Sequence, residues 1–327
     1  MSIAAPAIAE TPPPPGDAPA PTAPPASAAE LAARIPVPVR LPTRRYDGEP
    51  IRHLSATSYG LWLVCREAWR RKYICGEREA PSGAMFLGSR VDDAVSLYYQ
   101  RRLAREELDP GQVKDAYREL WRQQVDAERE KLGIDWSDIH EQAAFEIGLQ
   151  ALDMTFAQLV PKLGDPVAVQ RQLEYTLAPG LEWTVLCYLD LETRGRDLTG
   201  AEIPRVVDYK VKGSTISQAQ ADRDPQASLY MAGRWLQANP AAEFLFAQIA
   251  KPGPRRKQIS ATLITTGRTV GQMRATLARI ALAASELAAT HERLGPDRPW
   301  GLADPTHWKC SPRFCPAWST CPGGRGL

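Results

Sequence analysis

The chain has 327 residues, 44% of them hydrophobic, and its 40 basic side chains nearly balance 38 acidic ones, for a formal charge of +2. Only nine of the basic residues are Lys, so the positive charge rests mostly on Arg, whose planar fork suits phosphate without establishing a nucleic-acid partner. No run of about 18 apolar residues exists to span a membrane, and the start lacks the basic and apolar regions of a secretory signal. A cytoplasmic protein is therefore expected, one whose six cysteines are free thiols or metal ligands rather than disulfides.

Residues 1–35 are nearly all Ala and Pro, a composition that buries too little apolar surface to offset ordering entropy, and they read as a disordered tail. An extended lead-in follows over 35–47, and a single domain is expected over 48–327. Helices dominate its first half. A Ser55-capped segment runs through Trp62, Cys65 and Trp69 to about residue 73, and a second, over about 84–105, puts Val91, Val95 and Tyr98 on one stripe. Two more helices are expected over 111–132 and 137–159. Three β-rich runs come next, at 169–177, 183–192 and 203–210, then a helix over 217–236 and strands near 243–250 and 258–265. The last helix, 270–294, repeats Val270, Met273, Leu277, Ile280, Ala284 and Leu287 at three- and four-residue spacing, and the chain after Leu294 reads as irregular. The core order is helix, three strands, helix, strand. That is an α/β fold with a small mixed sheet flanked by helices, a helical insertion over 108–165 and a cysteine-bearing segment over 295–327.

Side chains two apart on a strand share a face, so Asp208 and Lys210 project together while Val207 and Tyr209 face the other way. A carboxylate can hold a divalent cation, and an ammonium beside it can orient a water or stabilise charge on a phosphate. Chance alone predicts roughly one acidic-x-Lys triplet in such a chain, and Asp208-Tyr209-Lys210 is the single instance, so an exposed strand ion pair is the plain alternative. Its neighbours add weight. Asp190 ends a strongly apolar run one hairpin earlier, where a buried carboxylate needs a partner or a metal. Gln226 and Tyr230, four apart, share a face of the following helix, and Asp92 lies on the earlier helix that begins near Gly88.

Cys310, Cys315 and Cys321 put three thiols within twelve residues of a Pro-rich segment, where irregular backbone can wrap sulfurs around a metal centre. Three thiolates want a fourth ligand, and Cys65, Cys75, Cys187 and His307 are all available; zinc or an iron–sulfur cluster would suit such a set.

With these elements in order, the chain resembles the RecB-like branch of the PD-(D/E)xK nuclease superfamily, close to the CRISPR-associated and phage exonucleases that carry an iron–sulfur cluster. The pattern runs from about Leu54 to Cys321: Ser55-x-Thr57 leading into Cys65, Gly88-Ser-Arg-Val-Asp92, the strand with Asp190, Val206-Val-Asp-Tyr-Lys210 followed by Gly213, Gln226-x-x-x-Tyr230, and the terminal cysteines. The resemblance implies a restriction-endonuclease-like core, αβββαβ. It implies that Asp190, Asp208 and the carbonyl of Tyr209, joined by Asp92, bind Mg²⁺ or Mn²⁺, that Lys210 positions the attacking water, and that Gln226 and Tyr230 line the site and contact the strand. It also selects Cys65 as the fourth ligand of a [4Fe–4S] cluster, with Zn²⁺ as the alternative and Cys75 and Cys187 as spectators. The family usually has His where Asp92 stands, Gly where Cys187 stands and Pro where Arg66 stands.

Basic residues gather beside these motifs at Arg66, Arg70, Arg71 and Lys72, at Arg101, Arg102 and Arg105, and at Arg255, Arg256 and Lys257, with Trp62, Trp69, Tyr98 and Tyr99 interleaved as a stacking platform would need, or as core residues would be. No GxxxxGK[ST] loop is present, so no ATP-driven motor is recognised. The expected function is a metal-dependent DNA exonuclease that prefers single strands or free ends, working with a helicase or recombination partner. A cleavage-deficient DNA-binding protein of the same fold and a zinc-stabilised interaction module are the alternatives.

Overall fold

The computed structural model describes residues 37–197, 199–253 and 257–325. The Ala/Pro tail and the cluster members Arg255 and Arg256 lie outside the described residues. The lead-in is packed against the domain: Leu41 is buried, and the carbonyl of Pro38 accepts the Trp183 indole N–H.

A two-residue strand, β1 (His53–Leu54), precedes α1 (Ala56–Val64), whose Ser55 and Ser58 form a reciprocal capping box. The helix does not continue through Cys65. That residue is extended at φ −155°, ψ 110°, and it caps the next short helix, α2 (Arg66–Trp69), which relaxes into a π-helical turn over Arg70–Ile74. The apolar spacing of Trp62 and Trp69 spans this break, so periodicity alone reads one helix. Then come α3 (Gly83–Leu103), α4 (Pro110–Arg129), α5 (Glu141–Met154) with a π-helical turn over Thr155–Leu159, and α6 (Val160–Leu163). Strands β2 (Asp165–Tyr175), β3 (Thr184–Arg196) and β4 (Glu202–Lys212) follow. The helix expected over 217–236 is two, α7 (Gln218–Ala221) and α8 (Pro225–Leu236), because Pro225 lacks an N–H and opens a new first turn under an Asp224 cap. The chain closes with β5 (Glu243–Ala250), β6 (Ser260–Thr266), α9 (Val270–Leu294) and α10 (Pro322–Arg325).

The strands form one mixed sheet with the path β1-β3-β4-β5-β6, β2 pairing along the other edge of β3. β4 and β5 run parallel, as do β1 and β3; the remaining pairs are antiparallel. This is the α/β, restriction-endonuclease-like arrangement expected, with the unforeseen β1 added. Two apolar clusters cover the faces. One joins α1, α8 and α9 to the sheet; the other joins α3 to α4 and α5 through Phe86, Leu87, Tyr117 and Trp121, so the insertion helices help build a core. Among the described residues no helix is long and apolar enough to cross a membrane.

The last segment is tied back to the first helices by Glu67. Its buried carboxylate receives Arg70 through two bonds of 2.8 Å, Arg71 at 2.9 Å and the Trp300 backbone N–H at 2.9 Å. Burial works against its charge, but the bonds from Arg70, Trp300 and Arg71 hold the carboxyl below the usual glutamate range. Trp300 stacks on Trp69, their centroids 5.9 Å apart, and packs edge-on against Trp62. Replacing Glu67 by Gln leaves Arg70 and Arg71 short of their counter-ion, and a loss of about 3–5 kcal/mol is expected in urea unfolding; a midpoint equal to wild type would show the network to be dispensable.

Candidate active site

The site lies where the sheet forks. β3 and β4 pair from Arg196↔Glu202 to Leu191↔Val207 and then part, β4 staying with β5 while β3 stays with β2. Tyr209 thereby loses its ladder partner on the β3 side, and its N–H donates instead to Asp190 Oδ2 at 2.9 Å. Asp190 does not end its strand, as the apolar run suggested; it sits in the middle of β3. Val185, Cys187 and Leu189 face one cluster and Leu191 the other, although residues two apart on a regular strand share a face. The facing slips by one residue at Asp190. Opposite it on β2, Gln170 takes the left-handed region at φ 49°. A non-glycine residue there is uncommon and marks a local adjustment, in this case one that turns its amide toward α3.

Four elements bring the polar groups together. From β4, Asp208 and Lys210 share a face and bond at 2.6 Å. From α8, the Gln226 amide donates to the same Asp208 oxygen at 2.6 Å and lies 3.1 Å from the Tyr230 hydroxyl. From α3, Asp92 accepts the Gln170 amide at 2.9 Å; Gly88, one turn earlier on that helix, carries no side chain where α3 nears the end of β4. Asp190 completes the set from β3. Tyr230 is packed in the core beside Phe244, so it reaches the site through Gln226 and offers little surface to a strand, contrary to the contact expected of it.

Charge is crowded here. Burial first, then the charges of Asp208 and Asp92, push Asp190 up to about 8. Burial and then Asp93 push Asp92 up to about 6. Asp208 is also raised, by burial against the pull of Lys210. Lys210 is the reverse case: burial opposes its charge, but Asp208, Asp190 and Asp92 together keep it above the ordinary lysine value. An ammonium therefore faces the site. Such a group can donate to a phosphate oxygen or orient a water, but it cannot take a proton.

Asp92 Oδ1 and Asp208 Oδ2 are buried without a hydrogen-bond partner. Two orphaned carboxylate oxygens amid mutual repulsion are what a hard divalent cation would relieve, and the all-oxygen donor set fits one. The side chains are not drawn into a finished cage: among the described residues, no three His, Cys, Asp or Glu side chains stand in a metal-holding arrangement. Asp190 is engaged with Tyr209, and Asp208 with Lys210 and Gln226. Two contributors were missed from the sequence. Gln170 carried no signal, because its role depends on a backbone angle; Lys212, whose charge also acts on Asp208, could have been found, since it follows Asp208 and Lys210 in the same alternation on β4.

A second cluster lies beyond the C-terminal end of α1. Cys65, Cys310, Cys315 and Cys321 line one cavity between α1–α2 and the C-terminal segment. Cys65 Sγ, turned out by the helix break, accepts the Ala68 N–H at 3.4 Å. Cys310 and Cys315 are pushed up, by burial first and also by the neighbouring thiols. The other possible fourth ligands are elsewhere. Cys187 is buried in the core, Cys75 takes a hydrogen bond from Arg70, and the His307 ring accepts the Lys309 N–H.

The expected electrostatic footprint and stacking platform are changed by the fold. Arg66, Arg70, Arg71, Arg101 and Arg102 are each paired with a carboxylate. Trp62, Trp69 and Tyr99 are buried and present no ring face to solvent.

A family model described as the PD-(D/E)XK nuclease superfamily matches residues 53–322. Among solved structures, a candidate exonuclease from Eubacterium rectale is similar at a TM-score of 0.49 and 14% identity, covering 79% of this chain and 87% of its own. The protein SSO0001 is similar at a TM-score of 0.31 and 15% identity, covering 79% of this chain and 94% of its own. No curated protein matches.

The raised carboxyls give the metal-free protein a signed pH dependence. Asp92 and Asp190 hold their protons more tightly folded than unfolded, so their contribution is fully present below the ordinary aspartate value of 3.8 and is lost as pH rises from there to about 6 for Asp92 and about 8 for Asp190. The thermal midpoint without divalent cations is expected to fall across that window, and Asp190→Asn to flatten the fall. A scanning calorimetry series in which wild type and Asp190→Asn fall in parallel would remove Asp190 as the source.

Proposed function

Since the chain belongs to the PD-(D/E)XK nuclease superfamily and is on that ground a nuclease, we propose that it is a metal-dependent DNA exonuclease with a preference for single strands. The observation that carries this reading is the forked sheet, which sets Asp190 and Asp208 on diverging strands beside Lys210 and leaves buried carboxylate oxygens without partners.

In this reading Asp92, Asp190, Asp208 and the Tyr209 carbonyl hold Mg²⁺ or Mn²⁺. When bound, such an ion polarises the scissile phosphate and lowers the pKa of a water. The chain's own groups do the positioning. Gln226 bonds Asp208 and keeps its carboxylate turned into the fork. Asp190 anchors β4 through the Tyr209 N–H, so the backbone carrying Asp208 and Lys210 cannot drift from β3. Lys210 places its ammonium where negative charge grows on the phosphate oxygens as the water attacks. Asp92 in place of the usual His adds a third hard oxygen donor, suited to the same ions.

Cys65, Cys310, Cys315 and Cys321 line one cavity, and four thiolates suit a tetrahedral zinc ion as well as a cluster; the resemblance to cluster-bearing exonucleases selects the iron–sulfur cluster. The cluster would be structural, fastening the C-terminal segment to α1 and α2, and its assembly would be coupled to folding.

Asp208→Ala and Lys210→Ala are each expected to lower cleavage of a single-stranded oligonucleotide by at least about 10²-fold with Mg²⁺ or Mn²⁺, on the scale of losing one electrostatic contact to the transition state. Undiminished cleavage in both variants sinks the assignment of the site, and binding without cleavage in wild type across both metals identifies a cleavage-deficient member. The cluster has its own readout. The anaerobically purified protein is expected to be brown and to bleach with reductant, and Cys65→Ser to lose the colour. A colourless, zinc-containing protein would overturn the iron–sulfur reading.

A further inference from the structure

Exposed aromatic rings are confined to a few places, and two of the largest stand together beside the cysteines. Trp308 is 60% exposed and Phe314 49% exposed. By contrast Trp62, Trp69, Trp121, Trp183, Trp235 and Trp300 are all buried. The two exposed rings meet edge to face with centroids 5.1 Å apart. Each carries a cation: Lys309 Nζ lies 5.4 Å from the Trp308 ring and Arg313 Cζ lies 5.2 Å from the Phe314 ring. His307 adds a third ring, stacked on Trp308 at 5.8 Å.

The sequence repeats this pairing, Trp308-Lys309 before Cys310 and Arg313-Phe314 before Cys315. From Pro305 to Leu327 there are three basic residues and no acidic one. The rings sit on turns, with Cys310 N–H on the His307 carbonyl and both Phe314 and Cys315 N–H on the Ser311 carbonyl. Arg71 fastens the same segment through the Thr320 hydroxyl at 2.9 Å. Elsewhere Arg66, Arg70, Arg71, Arg101 and Arg102 are spent on carboxylates; Lys309 and Arg313 have no salt-bridge partner among the described residues.

Leaving two large rings in water is unfavourable unless something covers them. The cover must accept both ring faces and positive charge. A protein surface can offer apolar contact, but two exposed rings with an unpaired cation against each are matched by a chain that alternates flat π-faces with phosphates. A duplex hides its base faces in its own stack; a single strand exposes them. We propose that Trp308 and Phe314 are a base-stacking platform for single-stranded nucleic acid, with Lys309 and Arg313 meeting the adjacent phosphates. This deepens the nuclease reading and rests on it. It gives the single-strand preference a physical source in the cysteine segment, away from Trp62 and Trp69.

The test separates stacking from charge. Full-length protein in buffer free of divalent cations is titrated into fluorescein-labelled oligothymidylate and into an abasic oligomer of equal length and charge, read by anisotropy. Wild type is expected to prefer the thymidylate by about 5- to 150-fold for each base stacked. Trp308→Ala and Phe314→Ala are expected to remove most of that preference while leaving abasic binding unchanged. Trp308→Phe should retain it, and an unaltered circular dichroism spectrum guards against misfolding. If both alanine variants keep the full thymidylate preference, or wild type has none while still cutting DNA, the platform is overturned and the nuclease reading stands. If wild type neither binds nor cuts either strand, both fall together.

Discussion

One hydrogen bond, from the Tyr209 N–H to Asp190, closes the fork between β3 and β4, and the site takes its shape from what that bond requires. Where two strands part, the inner edge of each is left with backbone groups that a buried sheet cannot leave unpaired. A carboxylate on the neighbouring strand supplies the missing acceptor, but only if its side chain points across the gap. The one-residue slip in β3 at Asp190, opposite the left-handed Gln170 on β2, achieves that. The same slip aims Gln170 at Asp92, so a backbone adjustment in two strands orients acidic groups on two different elements.

The crowding that results is unstable by itself. Three carboxyls share one buried space with the Lys210 ammonium; Asp92 is pushed up to about 6, and Asp190, at about 8, far enough to hold its proton near neutral pH. Burial of this kind is costly unless a counter-charge arrives, and it is common where function demands it. Lys210 relieves part of the charge and is itself kept protonated in return. The site is thus arranged around a positive charge larger than the one lysine provides.

Beyond the C-terminal end of α1, Glu67 plays a comparable organising part for the cysteines. By holding Arg70, Arg71 and the Trp300 backbone at once, it fastens a segment with almost no regular structure to the first helices of the domain. Cys65 is turned toward that segment because the helix breaks there; a continuous helix would have carried its thiol elsewhere. Residues that look like a nucleic-acid surface on paper, Arg70 and Trp69 among them, are consumed in this fastening. Trp308 and Phe314, in the fastened segment, are left exposed.

Much of this was legible in the sequence. The apolar periods located β5 and α9 to the residue, strand alternation put Asp208 and Lys210 on one face, and the order of motifs named the family. These properties are local: they follow from side-chain spacing along a helix or strand, which the sequence states directly. What the sequence could not state depends on partners distant in the chain. The break at Cys65 and the slip at Asp190 each interrupt an apolar pattern that reads as continuous. Likewise, an arginine or tryptophan has the same letter whether its charge or ring is spent inside the fold or left at the surface. Only packing decided that Trp69 belongs to the core and Trp308 to solvent, because burial is set by what lies across the sheet and not by what lies beside a residue in the chain.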